Sequence, residues 1–123
     1  MDYKTTKKDF EVFKKEAEYW LEYFHLHDWE VHFEHCDARG NRARCWSDIS
    51  GRMGTLEFGT EWSKKPDKYE LQIAAFHEVC ELLLSRLSTL PLNMFDSDYI
   101  SEITHEIIRR LENTIFKEKR SKK

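Results

Sequence analysis

The sequence predicts a single α+β domain: a helix, a three-stranded sheet, a buried helix that carries a chemical motif, and a C-terminal helix. Three observations predict it. Apolar residues recur at helical spacing between Thr5 and His25, alternate with polar ones from Trp29, and return to helical spacing from Tyr69 onward. A chain of 123 residues fits one modest core. Hydrophobic residues at 40% and aromatics at 14% supply enough apolar mass to fill it without staples.

The elements follow in order. Phe10, Phe13, Ala17, Trp20, Leu21 and Phe24 form one stripe of an amphipathic helix over 5–25, with Lys and Glu between them. "HLHDW" breaks that pattern. Trp29, Val31 and Phe33 then alternate with Glu30, His32 and Glu34, as in a half-buried strand. "DARGNR" supplies a turn, residues 43–50 a second strand, and Gly51 with "RMGTLEFG" a third, expected at or near an edge. The strands are antiparallel or mixed and pack against the motif helix. "SKKPDK" is a polar loop, with Pro66 marking the break before the helix from Tyr69 to about Leu87. Apolar side chains cover almost the whole circumference of that helix, which places it centrally. "STLPLNMFDSD" leads to a last helix, Tyr99 to about Phe116, with Ser97 or Asp98 able to cap it. Its apolar stripe is Ile100, Ile103, Ile107, Ile108, Leu111 and Ile115. The domain therefore spans 1–116, and the basic tail 117–123, KEKRSKK, is expected to fray.

Charged residues make up 35% with a formal net charge of -3, a balance that argues against a general polyanion binder. Nucleic acid is accordingly an unlikely partner, and the basic end formed by Arg109, Arg110 and the tail reads as solvated. Cys36, Cys45 and Cys80 are odd in number and lack CxxC spacing, which suits free thiols in a reducing compartment. No stretch resembles a signal peptide or reaches the length of a membrane span, so a cytoplasmic protein with no membrane partner is expected. His35, Cys36 and Cys45 could face one another across a hairpin but read more simply as neighbouring strand residues. His25 and His27 read as surface loop histidines.

The chemistry sits in "AAFHEVCELLLSRL", the most apolar stretch of the chain, which nevertheless carries His77, Glu78 and Glu81. Burying an unpaired carboxylate costs several kcal/mol, so these groups need partners. His77 and Glu81 are four apart and project from one side of a helix, a spacing that lets an imidazole and a carboxylate grip one cation. Glu78, turned by about 100°, is placed to reach a water on the open side of such an ion. A catalytic zinc usually takes three protein ligands. In "SEITHEIIRRLE", His105 falls roughly 60° beyond Ile108, at one border of the apolar stripe. Glu106 falls at the other border and Glu102 on the solvated side; both remain alternatives to His105 as third ligand. A set of His77, Glu81 and His105 suits zinc, and also iron or manganese.

With "DWEVHF", "FHEVCELLL" and "EITHEIIRRLEN" in this order, the chain from about residue 15 to 116 resembles small zincin-like metallopeptidases, many encoded by phages and prophages. That resemblance implies a helix of the HExxH type, in which the histidines hold zinc and the glutamate activates water. It implies a third ligand from a later helix and a strand edge that holds extended substrate. Carried onto this chain, His77 matches the first ligand and Glu78 the catalytic base. Glu81 stands where the family has its second histidine, and Arg52 to Phe58 matches the substrate-side strand. The expected function is metal-dependent hydrolysis of a peptide-like amide, with Glu78 activating a metal-bound water. The rival expectation is a zincin-fold binding module without catalysis, a phage accessory protein acting on a host factor. Either way the partner is a peptide or protein.

Overall fold

The computed structural model describes residues 2–89 and 97–121. A two-residue strand β1 (Tyr3–Lys4) precedes helix α1 (Lys7–Tyr23). The Thr6 hydroxyl accepts the Asp9 N–H while the Asp9 carboxylate accepts the Thr6 N–H, a capping box that sets where α1 begins. Three longer strands follow, β2 (Glu30–Cys36), β3 (Ala43–Asp48) and β4 (Met53–Gly59), then the short β5 (Glu61–Trp62). Helix α2 (Lys68–Leu83) opens on a second capping box, between Asp67 and Glu70. Helix α3 (Ser97–Leu111) carries Asp98 in its first turn, where a negative charge suits the helix dipole. Ser97 and Asp98 are thus already inside α3, and any cap before them lies outside the described residues, as does most of "STLPLNMFDSD".

The sheet is mixed. Its order is β2-β4-β3, with β4 parallel to β2 and antiparallel to β3. The third strand was expected near an edge, but β4 is the central strand. Its glycines serve helix packing and close backbone approach. A Cβ on Gly54 would come 2.9 Å from a Leu82 methyl of α2, and one on Gly59 would come 2.3 Å from the Asn41 carbonyl. A small ribbon, β1 paired antiparallel with β5, adds a second sheet that two-residue strands do not announce.

The register puts Phe33, Leu56 and Cys45 side by side on the inner face. Helices α1 and α2 cover that face. Trp20 meets Phe76 edge-on at 4.6 Å between ring centroids, and Phe13 meets Phe58 at 5.0 Å. Phe116 closes the far end against Phe76 at 5.2 Å. Along α2, Leu71, Ala75, Phe76, Val79, Cys80 and Leu82 are all buried, so this helix is the axis of the domain as its composition predicts. Its regular part ends at Leu83, and a 3-10 turn takes over at Ser85–Thr89.

The tail does not fray over its described part. The backbone passes from α3 through a π-helical turn (Glu112–Phe116) into a last helical turn (Lys117–Ser121). There Lys119 Nζ lies 2.9 Å from both carboxylate oxygens of Glu16, which is 5% exposed and also accepts the Trp20 indole N–H at 2.7 Å. Arg120 donates to the Gln72 side-chain oxygen at 2.6 Å. A buried carboxylate recruits a counter-charge, and that need outweighs the polar character of KEKRSKK. Among the described residues no helix is long and apolar enough to cross a membrane.

Removing the Lys119 ammonium leaves Glu16 charged and buried. Lys119→Ala is therefore expected to lower the unfolding free energy by about 2–4 kcal/mol, measured by urea denaturation. A loss below about 0.5 kcal/mol would show the pair to be an ordinary surface contact.

Candidate metal centre

Helices α2 and α3 run antiparallel where they meet, so the earlier site residue of one faces the later site residue of the other. His77 pairs with Glu112, and Glu81 pairs with His105. His77 Nε2 lies 3.3 Å from Glu81 Oε2, and His105 Nε2 lies 3.1 Å from the same oxygen. The two imidazoles stack with centroids 5.7 Å apart and planes 22° from parallel. One ligand atom from each of His77, Glu81 and His105 falls within 4.8 Å of the others. The four-residue spacing on α2 and the border position of His105 on α3 produce this convergence directly.

The outer nitrogens determine what the inner ones carry. His105 Nδ1 lies 2.9 Å from the Ser101 carbonyl oxygen, which can only accept, so Nδ1 bears the proton. His77 Nδ1 lies 3.1 Å from the Glu112 carboxylate, which fixes the same tautomer. In neutral imidazoles both Nε2 atoms then present lone pairs, and both lone pairs point at the Glu81 oxygen. Three electron-rich atoms in this arrangement require a positive charge among them. A proton on an imidazole can supply it, and so can a divalent cation. Zinc bonds of about 2.0–2.1 Å in tetrahedral geometry hold neighbouring donors about 3.3 Å apart, which the Glu81 separations match. The outer hydrogen bonds to Glu112 and Ser101 are those that orient metal-binding histidines. The donor set therefore fits zinc.

Electrostatics agree. Burial opposes charge on His77. Its hydrogen bonds to Glu112 and Glu81, with the charges of Glu78 and Glu81, outweigh burial and raise the imidazole to about 10. Glu81 is held below its ordinary value by its hydrogen bond to His77, against partial desolvation and with help from His105. Glu78 is only 8% exposed, and burial pushes its carboxyl up to about 7, with the Glu81 charge adding and the His77 and Arg44 charges subtracting. Among the described residues its carboxylate has no hydrogen-bond partner. It borders a cleft of about 260 Å³ between α2, the start of β3 and the π-helical turn, shared with Ala43, Ala74, His77 and Glu112.

All four residues that the sequence singles out, His77, Glu78, Glu81 and His105, meet here. Glu81 is less deeply placed than its apolar neighbours suggest, its side chain being 31% exposed. The alternatives to His105 are not in reach: Glu106 pairs with Arg110 at 3.4 Å, and Glu102 is exposed. Glu112 went unnoticed, although its position seven residues after His105 puts both on one helix face. His35 and Cys45 face the helices whereas Cys36 faces outward, so those three form no cluster. His35 instead meets the Thr5 hydroxyl at 2.7 Å and stacks on Phe10. The strand Arg52 to Phe58 is not available to substrate along its edge, because β4 is paired on both sides. Among the described residues the strand with an unpaired side next to the centre is β3. Comparison with protein-family models, curated proteins and solved structures finds no match.

Two outcomes are expected. A metal must displace the proton that His77 retains up to about pH 10. Zinc affinity, measured by chelator competition, should therefore climb about tenfold per pH unit from pH 6 to 9. A plateau just above pH 7 would indicate a histidine of ordinary pKa. Separately, Glu112→Ala should weaken zinc binding by about 10–100-fold without unfolding the protein, since it removes only the partner that orients His77.

Proposed function

We propose that this protein is a metal-dependent hydrolase of peptide-like amides, akin in design to the zincin-like metallopeptidases its motif helix resembles. One observation carries the reading: two orientated imidazoles and one carboxylate oxygen converge, beside a buried glutamate that has no hydrogen-bond partner among the described residues. Two histidines and a glutamate form a donor set that catalytic zinc sites use, with a fourth position left for water or substrate. His77, Glu81 and His105 would hold the ion, whose role when bound is to polarise the substrate carbonyl and acidify a water.

The chain's own groups supply the remainder. Glu78 takes the proton from the attacking water and returns it to the departing amine, a task suited to a carboxyl poised near neutrality. Its burial excludes bulk water, and the adjacent cleft gives the reacting carbonyl room. Glu112 and the Ser101 carbonyl hold the histidines in the required tautomer. Among the described residues strand β3 is hydrogen-bonded along one side only, to β4, so an extended chain can be seated along the other.

A second reading is favoured by Glu81 itself. A carboxylate ligand adds negative charge and weakens the Lewis acidity of the ion, which suits a zincin-like binding module better than an enzyme. Glu78→Gln separates the two. Zinc-loaded wild type is expected to cleave members of a peptide library, scored by mass spectrometry. The variant should lose about 10²–10⁴ in rate while retaining zinc. Cleavage that persists in Glu78→Gln sinks the mechanism, and stoichiometric zinc without cleavage in wild type supports the binding module.

A further inference from the structure

The edge strand beside the metal centre carries an unusual charge. Arg39 and Arg42 lie in the turn that enters β3, and Arg44 lies in β3 itself. Each guanidinium rests on a tryptophan: Arg44 over Trp46 at 4.0 Å, Arg39 over the same ring at 5.6 Å, and Arg42 over Trp62 at 4.9 Å. Among the described residues none of the three has a carboxylate within ion-pair distance. Arg52, by contrast, is neutralised by Asp28 at 2.6 Å.

A guanidinium held over an indole by cation–π attraction loses freedom, yet its N–H groups stay available to a second partner. That is the arrangement for taking a carboxylate or phosphate side-on. The turn that aims Arg39 is itself costly. Ala38, Arg39 and Gly40 are successively left-handed, with φ of 51°, 53° and 79°, and for the first two this conformation is unfavourable. Hydrogen bonds from Asn41 N and Nδ2 to the Ala38 carbonyl, each 3.0 Å, hold the turn closed. Trp46 is left 44% exposed between its two arginines.

We propose that Arg39, Arg42 and Arg44 form an anion-recognition strip that selects an acidic extended peptide for the free side of β3. The peptide class rests on the hydrolase reading above. Within it, the strip names the substrate: a segment with carboxylates at alternating positions, delivered along β3 to the cleft at Ala43 and Glu78. Single-stranded nucleic acid fits less well. The cation strip is one strand wide and is bounded on its inner side by Glu57, which stands opposite Arg44 and accepts the Trp46 indole N–H. The basic surface is thus too narrow for a continuous phosphate backbone but wide enough for one extended peptide on the outer side of β3.

The test uses zinc-loaded Glu78→Gln, so that binding is read without turnover. Its probes are a fluorescent extended peptide with Glu at alternate positions, the same peptide with Gln there, and a fluorescent single-stranded oligonucleotide. The Glu peptide should bind on the order of tenfold more tightly than the Gln peptide, with the preference falling as salt is raised. Arg39→Gln, Arg42→Gln and Arg44→Gln combined should abolish that preference while leaving zinc affinity and the thermal midpoint close to the parent. Equal binding of the two peptides overturns the proposal, as does a preference that survives the triple variant or tighter binding of the oligonucleotide. Preferential binding with no cleavage by wild type supports the strip and sinks the hydrolase. Cleavage of both peptides at equal efficiency does the reverse.

Discussion

Two imidazole lone pairs directed at one carboxylate oxygen repel unless a positive charge lies among them, and the fold of this protein holds them there. The Ser101 carbonyl and the Glu112 carboxylate accept hydrogen bonds from the Nδ1 N–H groups, so in the neutral imidazoles the inner nitrogens are acceptors facing Glu81. Without a metal a proton serves, which is why His77 is raised so far. The Glu81 oxygen stands from each of the two inner nitrogens at a separation that tetrahedral zinc would also give. The site is in this sense prepared on rigid elements: α2 is locked between α1 and the sheet by Trp20, Phe76 and Leu56, and α3 is returned to it through Phe116.

The C-terminal turns belong to this preparation. Glu112 opens a π-helical turn, a local widening of the helix that is common at functional sites. Beyond it, Phe116 enters the core and Lys119 locks onto buried Glu16. The ten residues Glu112–Ser121 thus tie α3 to both other helices, and with it the position of His105 against Glu81. Burial of Glu78 follows from the same packing, because β3 lies across the helix turn that bears it.

Much of this was legible in the sequence because one period dominates each stretch. The helical repeat of Phe10, Phe13, Ala17 and Trp20 and the alternation around Val31 and Phe33 survive folding unchanged. His77, Glu78, Glu81 and His105 could be grouped because helix geometry alone relates them. Strand order could not be read: the third strand is central, and its Gly54 and Gly59 admit Leu82 and the Asn41 carbonyl, contacts that no local pattern announces. The tail misled because KEKRSKK is polar throughout, and its partner Glu16 lies a hundred residues away. The stack of Arg39 on Trp46 was equally hidden, since Arg39 reaches that ring only through a left-handed turn.

The measurement that bears most directly on the centre is a crystal structure grown with zinc, with anomalous diffraction collected at the zinc edge. The account predicts a single strong peak about 2.0–2.1 Å from His77 Nε2, His105 Nε2 and a Glu81 carboxylate oxygen. A map with no peak there, or with its peak beside Glu34, Cys36 and Glu57 on the outer face of the sheet, would contradict it.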